Sequence, residues 1–454
     1  MFFGTFSLLV LSLPLEPVRN APVQSPAPDV LMIVLDDVGM DLIGGLYQEV
    51  PDAPFTPNID RLAREGVFFR NAWANPYCSP TRATLLTGRY GFRTGVGTYI
   101  NGITDTYGLR TRELMLGEML HYAGYYNAAF GKWHLSVKSN FGPGQGFLHP
   151  FHSGFDWYEG AMYNPASPAV EYLPASCSGP LDYYNWVKNT NGVQDCTRVY
   201  MTTDTVDDAV AFLRNPPEPL FLYVAFNAAH APMHDPTGRL PANAPARSKC
   251  KAMVEVMDAE IGRLLSSARY PRSDLYVILV GDNGTEFWVG YGAPNATGCF
   301  GTAHSKGSLY EGGINVPLII AGPGVVARET PVIVNTTDVF ATVCNLTGLP
   351  SLARDSRSLT GVMFGSDLPV RDYVYAEQFS PNGRPFRPTT HERTVSDGRY
   401  KLIRRTSSGT TADELFDLLQ DPCEDVDLLP TPPGSPAEQA RVRLVGYLTA
   451  LGVD

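Results

Sequence analysis

The chain has 454 residues, of which 44% are hydrophobic, enough to bury the core of one large domain and a smaller one. Its 43 glycines, 38 prolines and 18% charged residues indicate a loop-rich globular protein and argue against a coiled coil or a disordered chain. The net charge of -11 argues against a nucleic-acid-binding protein, so no nucleic-acid partner is expected.

The N-terminal segment begins with an apolar run, residues 2–15, that is too short to span a bilayer comfortably. It resembles the core of a signal peptide, although no Lys or Arg precedes it, and residues 16–28 have the composition of a linker. We expect residues 1–26 to be a signal peptide and linker; the alternatives are an artefact of the assigned start site and a disordered tail. No other segment is predicted to span a membrane, and a secreted, periplasmic or lysosome-like location is expected.

Apolar runs bounded by Gly, Pro, Asn or Asp predict buried strands at residues 30–35, 126–130, 220–226, 275–280 and 316–321. None alternates apolar with polar residues, a pattern typical of parallel strands covered on both faces. Apolar positions three and four apart predict helices at residues 58–65, 111–123, 204–213 and 253–268. This alternation predicts an α/β fold with a large, mostly parallel central sheet flanked by helices.

The C-terminal part of the chain has a different pattern. Short strand-like pieces at residues 372–377, 394–395 and 400–404 are separated by turn residues such as Asp397-Gly398, and an amphipathic helix is predicted at 437–451. They predict a small antiparallel sheet with one helix packed on it. We expect a boundary near Ser366, with a catalytic domain at 27–366 and a C-terminal subdomain at 367–454.

Six of the seven cysteines are candidates for disulfide bonds, and Cys78 is treated separately. The six are Cys177, Cys196, Cys250, Cys299, Cys344 and Cys423. They allow three disulfides in 15 pairings, and the alternative is that all are reduced and buried. Cys177 and Cys196 bracket one loop-like segment and are the first pair expected.

Four of the predicted strands run directly into polar residues. The polar segments that follow the four strands are Asp36-Asp37, Lys132-Trp-His134, Asn227-Ala-Ala-His230 and Asp282-Asn283. Each is also ordinary turn chemistry when taken alone. Because ligands of open α/β sheets bind beyond the carboxyl ends of the strands, we expect the four clusters to share one crevice.

Two of these clusters carry hard oxygen donors. Asp36, Asp37, Asp282 and Asn283 suit Ca²⁺ or Mg²⁺ better than zinc. Adjacent carboxylates repel each other unless a cation neutralises them. Two solvated turns are the alternative, and spacing alone does not decide between them.

The segment Cys78-Ser-Pro-Thr-Arg82 is predicted to begin a helix, because Pro80 suits the first turn and Gly88 suits the end. Cys78 then lies at the helix N-terminus, where free N–H groups and the dipole favour an anion. Arg82 follows one turn later on the same face. A nucleophile beside an anion site suits sulfate or phosphate transfer; a buried cysteine at a helix start is the alternative.

The same segment, followed by Leu85-Leu-Thr-Gly-Arg89, resembles the signature of the formylglycine-dependent (type I) sulfatases of the alkaline-phosphatase-like superfamily. Further matches cover nearly the whole chain in the family's order. They are Asp36-Asp37, Thr56-Pro-Asn-Ile-Asp-Arg-Leu-Ala, Gly131-Lys-Trp-His-Leu, His230-Ala-Pro-Met-His, Gly281-Asp-Asn-Gly, Lys306-Gly-Ser-Leu-Tyr-Glu-Gly-Gly, Asp397-Gly-Arg-Tyr-Lys-Leu-Ile and Glu414-Leu-Phe-Asp-Leu.

The resemblance implies hydrolysis of a sulfate monoester. Cys78 would be oxidised to formylglycine by a separate formylglycine-generating enzyme, and one hydroxyl of the hydrated aldehyde would attack sulfur in line while the other later releases the sulfate. The implied cation is Ca²⁺, with Mg²⁺ the less favoured choice. Its implied ligands are Asp36, Asp37, modified Cys78, Asp282 and Asn283.

The resemblance also implies catalytic roles for residues around this cation. Arg82 and Lys132 would orient the nucleophile and neutralise negative charge, and Asp282 would accept the proton of the attacking hydroxyl. His134 would take the proton of the second hydroxyl. Lys132, His230 and Lys306 would bind the substrate, and the last two would protonate the leaving oxygen. His234 and His304 are weaker candidates, and Glu311 is expected to be structural.

The implied substrate is a sulfated carbohydrate or other small molecule, such as an aryl sulfate. Loops at residues 94–108, 141–197, 234–250 and 380–391 are expected to shape its pocket. Aromatic residues of the second loop (Trp157, Tyr183, Tyr184 and Trp186) either stack on the substrate or pack within the loop. Two alternative functions are a formylglycine-dependent phosphonate monoester or phosphodiester hydrolase and a catalytically silent, sulfatase-like binding protein.

Overall fold

The computed structural model describes residues 27–44, 50, 52–102, 104–137, 146–166, 174, 176–289, 299–301 and 303–453. The predicted signal peptide and linker, residues 1–26, lie outside the described residues, as do parts of the loop at 141–197. Within the described ranges, no helix is long and apolar enough to cross a bilayer.

A ten-stranded sheet runs through the described part of the chain. Its strands are β1 (Asp29–Leu35), β2 (Val67–Trp73), β3 (Tyr126–Gly131), β4 (Trp157–Gly160), β5 (Trp186–Thr190), β6 (Val193–Thr197), β7 (Leu220–Ala225), β8 (Leu275–Gly281), β9 (Leu318–Ala321) and β10 (Arg328–Asn335). They lie in the order β10-β2-β9-β8-β1-β7-β3-β4-β5-β6. The central strands β8, β1, β7 and β3 are parallel neighbours, so their carboxyl ends share one edge. The predicted α/β fold is confirmed.

Helices pack on both faces of this sheet. They are α1 (Pro57–Glu65), α2 (Cys78–Thr87), α3 (Gly91–Thr94), α4 (Leu116–Tyr122), α5 (Met201–Phe212), α6 (Ala246–Ser267), α7 (Glu311–Ile314), α8 (Asp338–Leu346) and α9 (Thr360–Met363), with short 3₁₀ turns at Met40–Leu42, Gly146–Leu148 and Phe151–Ser153. Val30, Met32 and Val34 of β1 belong to the core on the α2 and α8 side. Leu31, Ile33 and Leu35 belong to the opposite core, with α1 and α6. Burial on both faces explains why the run does not alternate.

The segment predicted as a strand at residues 316–321 differs from the prediction in direction. The observed strand, β9, is antiparallel to both of its neighbours, β8 and β2. All four of its residues are buried, as in the parallel strands. A strand covered on both faces has the same apolar composition in either direction, so its sequence did not reveal the reversal.

The predicted helix at 111–123 is also shorter than expected. It begins at Leu116, because the Met115 N–H donates to Glu118 Oε2 at 2.8 Å and the preceding residues form a turn with Glu113 N bonded to the Arg110 carbonyl. Helix α6 instead extends seven residues further toward the N-terminus than the predicted start at 253.

A four-stranded antiparallel sheet follows in the C-terminal part, as predicted. Its strands are β11 (Val374–Ser380), β12 (Thr390–Ser396), β13 (Tyr400–Ser407) and β14 (Thr410–Asp417), and α10 (Pro436–Leu451) packs on it. The Asp397-Gly398 turn joins β12 to β13, with Gly398 at φ +91°. The prediction missed β14, whose first four residues are polar or small and largely exposed.

Two disulfides are present in the described residues, Cys177–Cys196 and Cys299–Cys423. The first is the pair expected first from the sequence, and the third pair that six cysteines allow is not formed among the described residues. Cys250 and Cys344 are free and buried. They lie in the cores on opposite faces of the large sheet, which separates them.

Candidate active site

The polar residues that follow β1, β8, β7 and β3 lie together at the shared carboxyl edge of these strands. Asp37 and His134 adopt left-handed backbone conformations, each with φ of 58°, where the chain turns away from its strand. Such conformations cost about 1–3 kcal/mol in a non-glycine residue and persist where the surroundings hold them. They aim both side chains into the crevice.

A buried ionic network forms the floor of this crevice. Arg82 donates from Nε and Nη2 to Asp282 Oδ2 at 3.0 and 2.8 Å, and from Nη1 to the Lys132 carbonyl at 3.0 Å. The Lys132 ammonium pairs with Asp36 Oδ2. All four side chains are inaccessible to solvent. Helix α2 therefore places Arg82 on one side of this network, and the strand ends place the acidic residues on the other side.

A second group surrounds Asp37. Lys306 Nζ lies 2.7 Å from Asp37 Oδ2 and 2.7 Å from Glu286 Oε1. Asn283 Nδ2 donates to Asp37 Oδ1 at 2.8 Å, and His230 Nε2 lies 3.9 Å from Asp37 Oδ2. The sequence reasoning missed Glu286. The signal for it was a carboxylate only four residues after Asp282, in the same strand-end loop.

Cys78 begins α2, as predicted, and Gly88 ends this helix in the left-handed conformation. The Cys78 thiol is buried, with Sγ 3.1 Å from His134 Nδ1. His134 Nε2 lies 2.9 Å from the Ile100 carbonyl oxygen, which accepts only a hydrogen bond. A neutral His134 that donates from Nε2 therefore presents Nδ1 as an acceptor toward residue 78.

Burial and the ionic network shift the pKa values of these groups. Burial, with Lys132 and Arg82 next, lowers the pKa of His134 well below its usual value, so the ring is neutral. Burial raises the pKa of the Cys78 thiol to about 11, although Lys132 opposes the rise. Burial and the Asp36 carboxylate raise the pKa of Asp282 to about 7. Burial and Lys306 lower the pKa of His230 to about 3.

Two oxygens of the cluster fit a bound cation. Asp36 Oδ1 and Asn283 Oδ1 are buried and accept no hydrogen bond from the described residues. A carboxylate oxygen of Asp36, one of Asp282 and the Cys78 sulfur lie within 4.8 Å of one another. Buried polar atoms without a partner are rare in folded proteins, and oxygen donors in this arrangement suit a hard divalent cation. The residues present therefore fit such an ion.

The family comparison decides which chemistry this site serves. The sulfatase family model matches residues 28–349, most of the chain. The chain belongs to the sulfatase family. It is thus a sulfuric ester hydrolase, as its motifs predicted, and neither alternative function is favoured.

Individual relatives agree with this assignment. This sulfatase is 32% identical over 397 residues to the N-acetylgalactosamine-6-sulfatase of Canis lupus familiaris, covering 81% of this chain and 71% of the relative. It is 31% identical over 453 residues to arylsulfatase G of Homo sapiens, with coverages of 88% and 82%. Its fold is similar to that of Ps i-CgsB solved with k-i-k-neocarrahexaose, with a TM-score of 0.74, 24% identity and coverages of 94% and 92%.

Part of the aromatic-rich loop at residues 141–197 packs against the backbone of the candidate active site. Tyr183 is buried, and its hydroxyl lies 2.5 Å from the Asn227 carbonyl oxygen and 2.8 Å from that of His230. Trp186 is buried in the core, and Tyr184 is exposed. Tyr183 thus packs under the His230 loop and does not face the substrate. Of the two roles that the sequence left open, stacking on the substrate and packing of the loop, Tyr183 has the second.

The weaker histidine candidates have other contacts. The His304 ring stacks on Tyr310 at 3.9 Å, and its Nδ1 lies 2.9 Å from the Cys423 carbonyl oxygen. His234 packs against Tyr183 at 4.5 Å between ring centres. Glu311 pairs with buried Lys401 at 2.9 Å, consistent with the structural role expected for it.

Proposed function

We propose that this sulfatase cleaves a sulfate monoester at residue 78, after oxidation of Cys78 to formylglycine, and releases sulfate and an alcohol. The observation that carries the proposal is the position of buried Cys78 at the start of α2, with His134 Nδ1 at 3.1 Å and the acids Asp36 and Asp282 beside it. Hydrated formylglycine supplies a hydroxyl that attacks sulfur and a second one through which sulfate leaves. His134, neutral and held by Ile100, accepts the proton of that second hydroxyl.

The proposed cation is Ca²⁺ rather than Mg²⁺. Asp36, Asp37, Asp282, Asn283 and the oxygen of modified residue 78 would hold it. When bound, this ion would supply charge stabilisation for the sulfuryl oxygens and would lower the pKa of a bound hydroxyl. The orphaned oxygens of Asp36 and Asn283 support the location, and an all-oxygen set without demanding geometry supports the choice of Ca²⁺.

The remaining residues bind and protonate the ester. Arg82 and Lys132 neutralise the carboxylates beside residue 78 and orient it, while Asp282 accepts the proton of the attacking hydroxyl. Lys306 is charged, since Asp37 and Glu286 outweigh the effect of burial and raise its pKa well above the usual value. It binds a sulfate oxygen and, together with His230, donates a proton to the leaving oxygen. A sulfate anion beside His230 raises the pKa of the imidazole, so His230 takes up the proton that it gives to the leaving oxygen.

The proposed substrate is a sulfated carbohydrate or another small sulfate ester. The names of its relatives include an N-acetylgalactosamine-6-sulfatase and an arylsulfatase, which supports this range. Maturation requires a formylglycine-generating enzyme as partner. Two disulfides and the apolar run at residues 2–15 support a secreted, periplasmic or lysosome-like location.

The test compares initial rates on 4-nitrophenyl sulfate and a matched aryl phosphonate monoester, with Ca²⁺. The protein is co-produced with a formylglycine-generating enzyme, and Cys78→Ala is the control. We expect a preference for the sulfate that disappears in Cys78→Ala. A phosphonate preference would contradict the reaction class, and full activity in Cys78→Ala would contradict the role of residue 78.

A further inference from the structure

A tight turn follows Glu286 directly. The Val289 N–H donates to the Glu286 carbonyl at 2.9 Å, so Phe287 and Trp288 occupy the two central positions. Such positions usually hold Gly, Pro, Asn, Asp or Ser. Phe287 and Trp288 are instead bulky, and each is 48% exposed. Their rings lie 4.5 Å apart between centres at an interplanar angle of 78°, so they present two perpendicular apolar surfaces.

Both ends of this turn are held firmly. Glu286 pairs with Lys306 at 2.7 Å. Val289 is fully buried, and its carbonyl accepts from Arg247 Nη1 at 3.2 Å; Arg247 in turn pairs with Asp41 at 2.9 Å. The turn that carries Phe287 and Trp288 is therefore held in place at both ends. Phe287 directly follows Glu286, the partner of Lys306, in the sequence.

The exposure of Trp288 is unusual within this protein. All five tryptophans lie in the described residues, and only Trp288 is exposed. Packing in the core does not explain the presence of a tryptophan at position 288, because almost half of the surface of this side chain faces solvent. Tryptophan is enriched where a protein binds other molecules, because one rigid ring offers a large contact area.

We propose that Phe287 and Trp288 form a stacking surface for the sugar ring of a sulfated saccharide substrate. This inference rests on the proposed function, because the saccharide is the alcohol portion of the ester whose sulfate is bound by Lys306. The two residues act on substrate binding and not on the chemical step.

Short-range contacts, and not the net charge of the chain, have to hold the saccharide in place. At a net charge of -11, long-range attraction does not draw a sulfated anion to the protein. Binding of the remainder of the substrate then depends on short-range contacts around the sulfate. The C–H groups on one face of a pyranose ring pack against an indole, while its hydroxyls stay in water at the exposed tip.

The experiment measures binding separately from turnover. Full-length Cys78→Ala protein with Ca²⁺ is titrated by calorimetry with N-acetylgalactosamine 6-sulfate, k-i-k-neocarrahexaose and inorganic sulfate. We expect at least one saccharide to bind and to shift the tryptophan emission, a shift absent in Trp288→Phe. Adding Trp288→Ala should raise its Kd about tenfold and leave that of inorganic sulfate within about twofold, while Trp288→Tyr restores most of the affinity.

The matched control is Tyr122→Ala, which removes another exposed aromatic side chain, at the end of α4. It should change no Kd. The proposal is overturned if Trp288→Ala leaves the saccharide Kd unchanged, if it weakens saccharide and inorganic sulfate equally, or if neither saccharide binds the parent protein. Turnover of 4-nitrophenyl sulfate by the formylglycine form is measured separately, so failure of the proposed chemistry is distinguished from failure of this surface.

Discussion

Two buried arginine–aspartate pairs in this sulfatase have similar composition and different surroundings. Arg82 binds Asp282 in the candidate active site. Arg371 binds Asp338 where the large sheet meets the C-terminal part. Burial raises the pKa of both Asp282 and Asp338, so their titration does not separate the two pairs.

The difference lies in how completely each cluster is hydrogen-bonded. Around Arg371, Nη1 donates to Tyr90 and Asn335, Nη2 donates to the Asp355 carbonyl, and both Asp338 oxygens also accept backbone N–H groups. Beside Arg82, the oxygens Asp36 Oδ1 and Asn283 Oδ1 accept nothing from the described residues. A fully hydrogen-bonded cluster stabilises the fold, whereas buried acceptors without a hydrogen bond in a charged cluster indicate a ligand site.

The same substitution at both arginines gives the sharpest test of this difference. Lysine keeps the positive charge but lacks the planar guanidinium group, which donates several hydrogen bonds in a fixed geometry. We expect Arg82→Lys to lower kcat on 4-nitrophenyl sulfate about 10²-fold or more, since residue 78 and Asp282 lose their alignment. Arg371→Lys should lower the free energy of unfolding by about 2 kcal/mol and leave kcat of the folded enzyme unchanged.

Urea unfolding and steady-state kinetics on both variants measure these effects. A variant of the glutamate-paired surface residue Arg70, Arg70→Lys, serves as the control and should change neither quantity appreciably. Equal losses of activity in Arg82→Lys and Arg371→Lys would mean that the two clusters do not differ as described.

Removal of the cation should affect only the first cluster. A chelator leaves Asp36, Asp37 and Asp282 to repel each other, so we expect the melting temperature to fall and Ca²⁺ to restore it more fully than Mg²⁺. A ligand at 100 times its Kd stabilises by about 2.7 kcal/mol, which sets the expected scale. The loss should add to that of Arg371→Lys, because the sites share no partner. An unchanged melting curve would argue against a cation there.

The smallest effect is expected at Glu286, which the sequence reasoning missed. Glu286→Gln removes one of the two carboxylates paired with Lys306 but keeps the shape of the side chain. We expect kcat/KM to fall about tenfold on alkyl sulfates and less on 4-nitrophenyl sulfate, whose leaving group needs no proton. An equal fall on both substrates would place Glu286 outside leaving-group chemistry.

Much of this arrangement followed from the sequence because strand ends carry their own signal. Apolar runs ending in Asp36, Lys132, His230 and Asp282 predicted a shared crevice, and the parallel order of β8, β1, β7 and β3 brings these residues to one edge. The Cys78 segment predicted its own helix start. In each case the prediction uses local information, since adjacent residues specify a strand, a turn or a helix cap.

The parts that were missed depend on contacts distant in sequence. The direction of β9 is set by its neighbours, and the Ile100 carbonyl that orients His134 comes from a loop whose sequence has no marker for this contact. The same holds for Tyr183 beneath the His230 loop and for the separation of Cys250 from Cys344 by the sheet. Residue type alone does not specify such partners.

The most direct measurement of the central claim is a mass spectrum of the Cys78 peptide taken on the same samples as their sulfatase rates. Samples produced with increasing amounts of the formylglycine-generating enzyme give a range of modified fractions. We predict that the specific rate on 4-nitrophenyl sulfate rises in proportion to the formylglycine fraction and extrapolates to zero for the unmodified thiol. Full activity in a sample whose residue 78 is entirely cysteine would contradict the account.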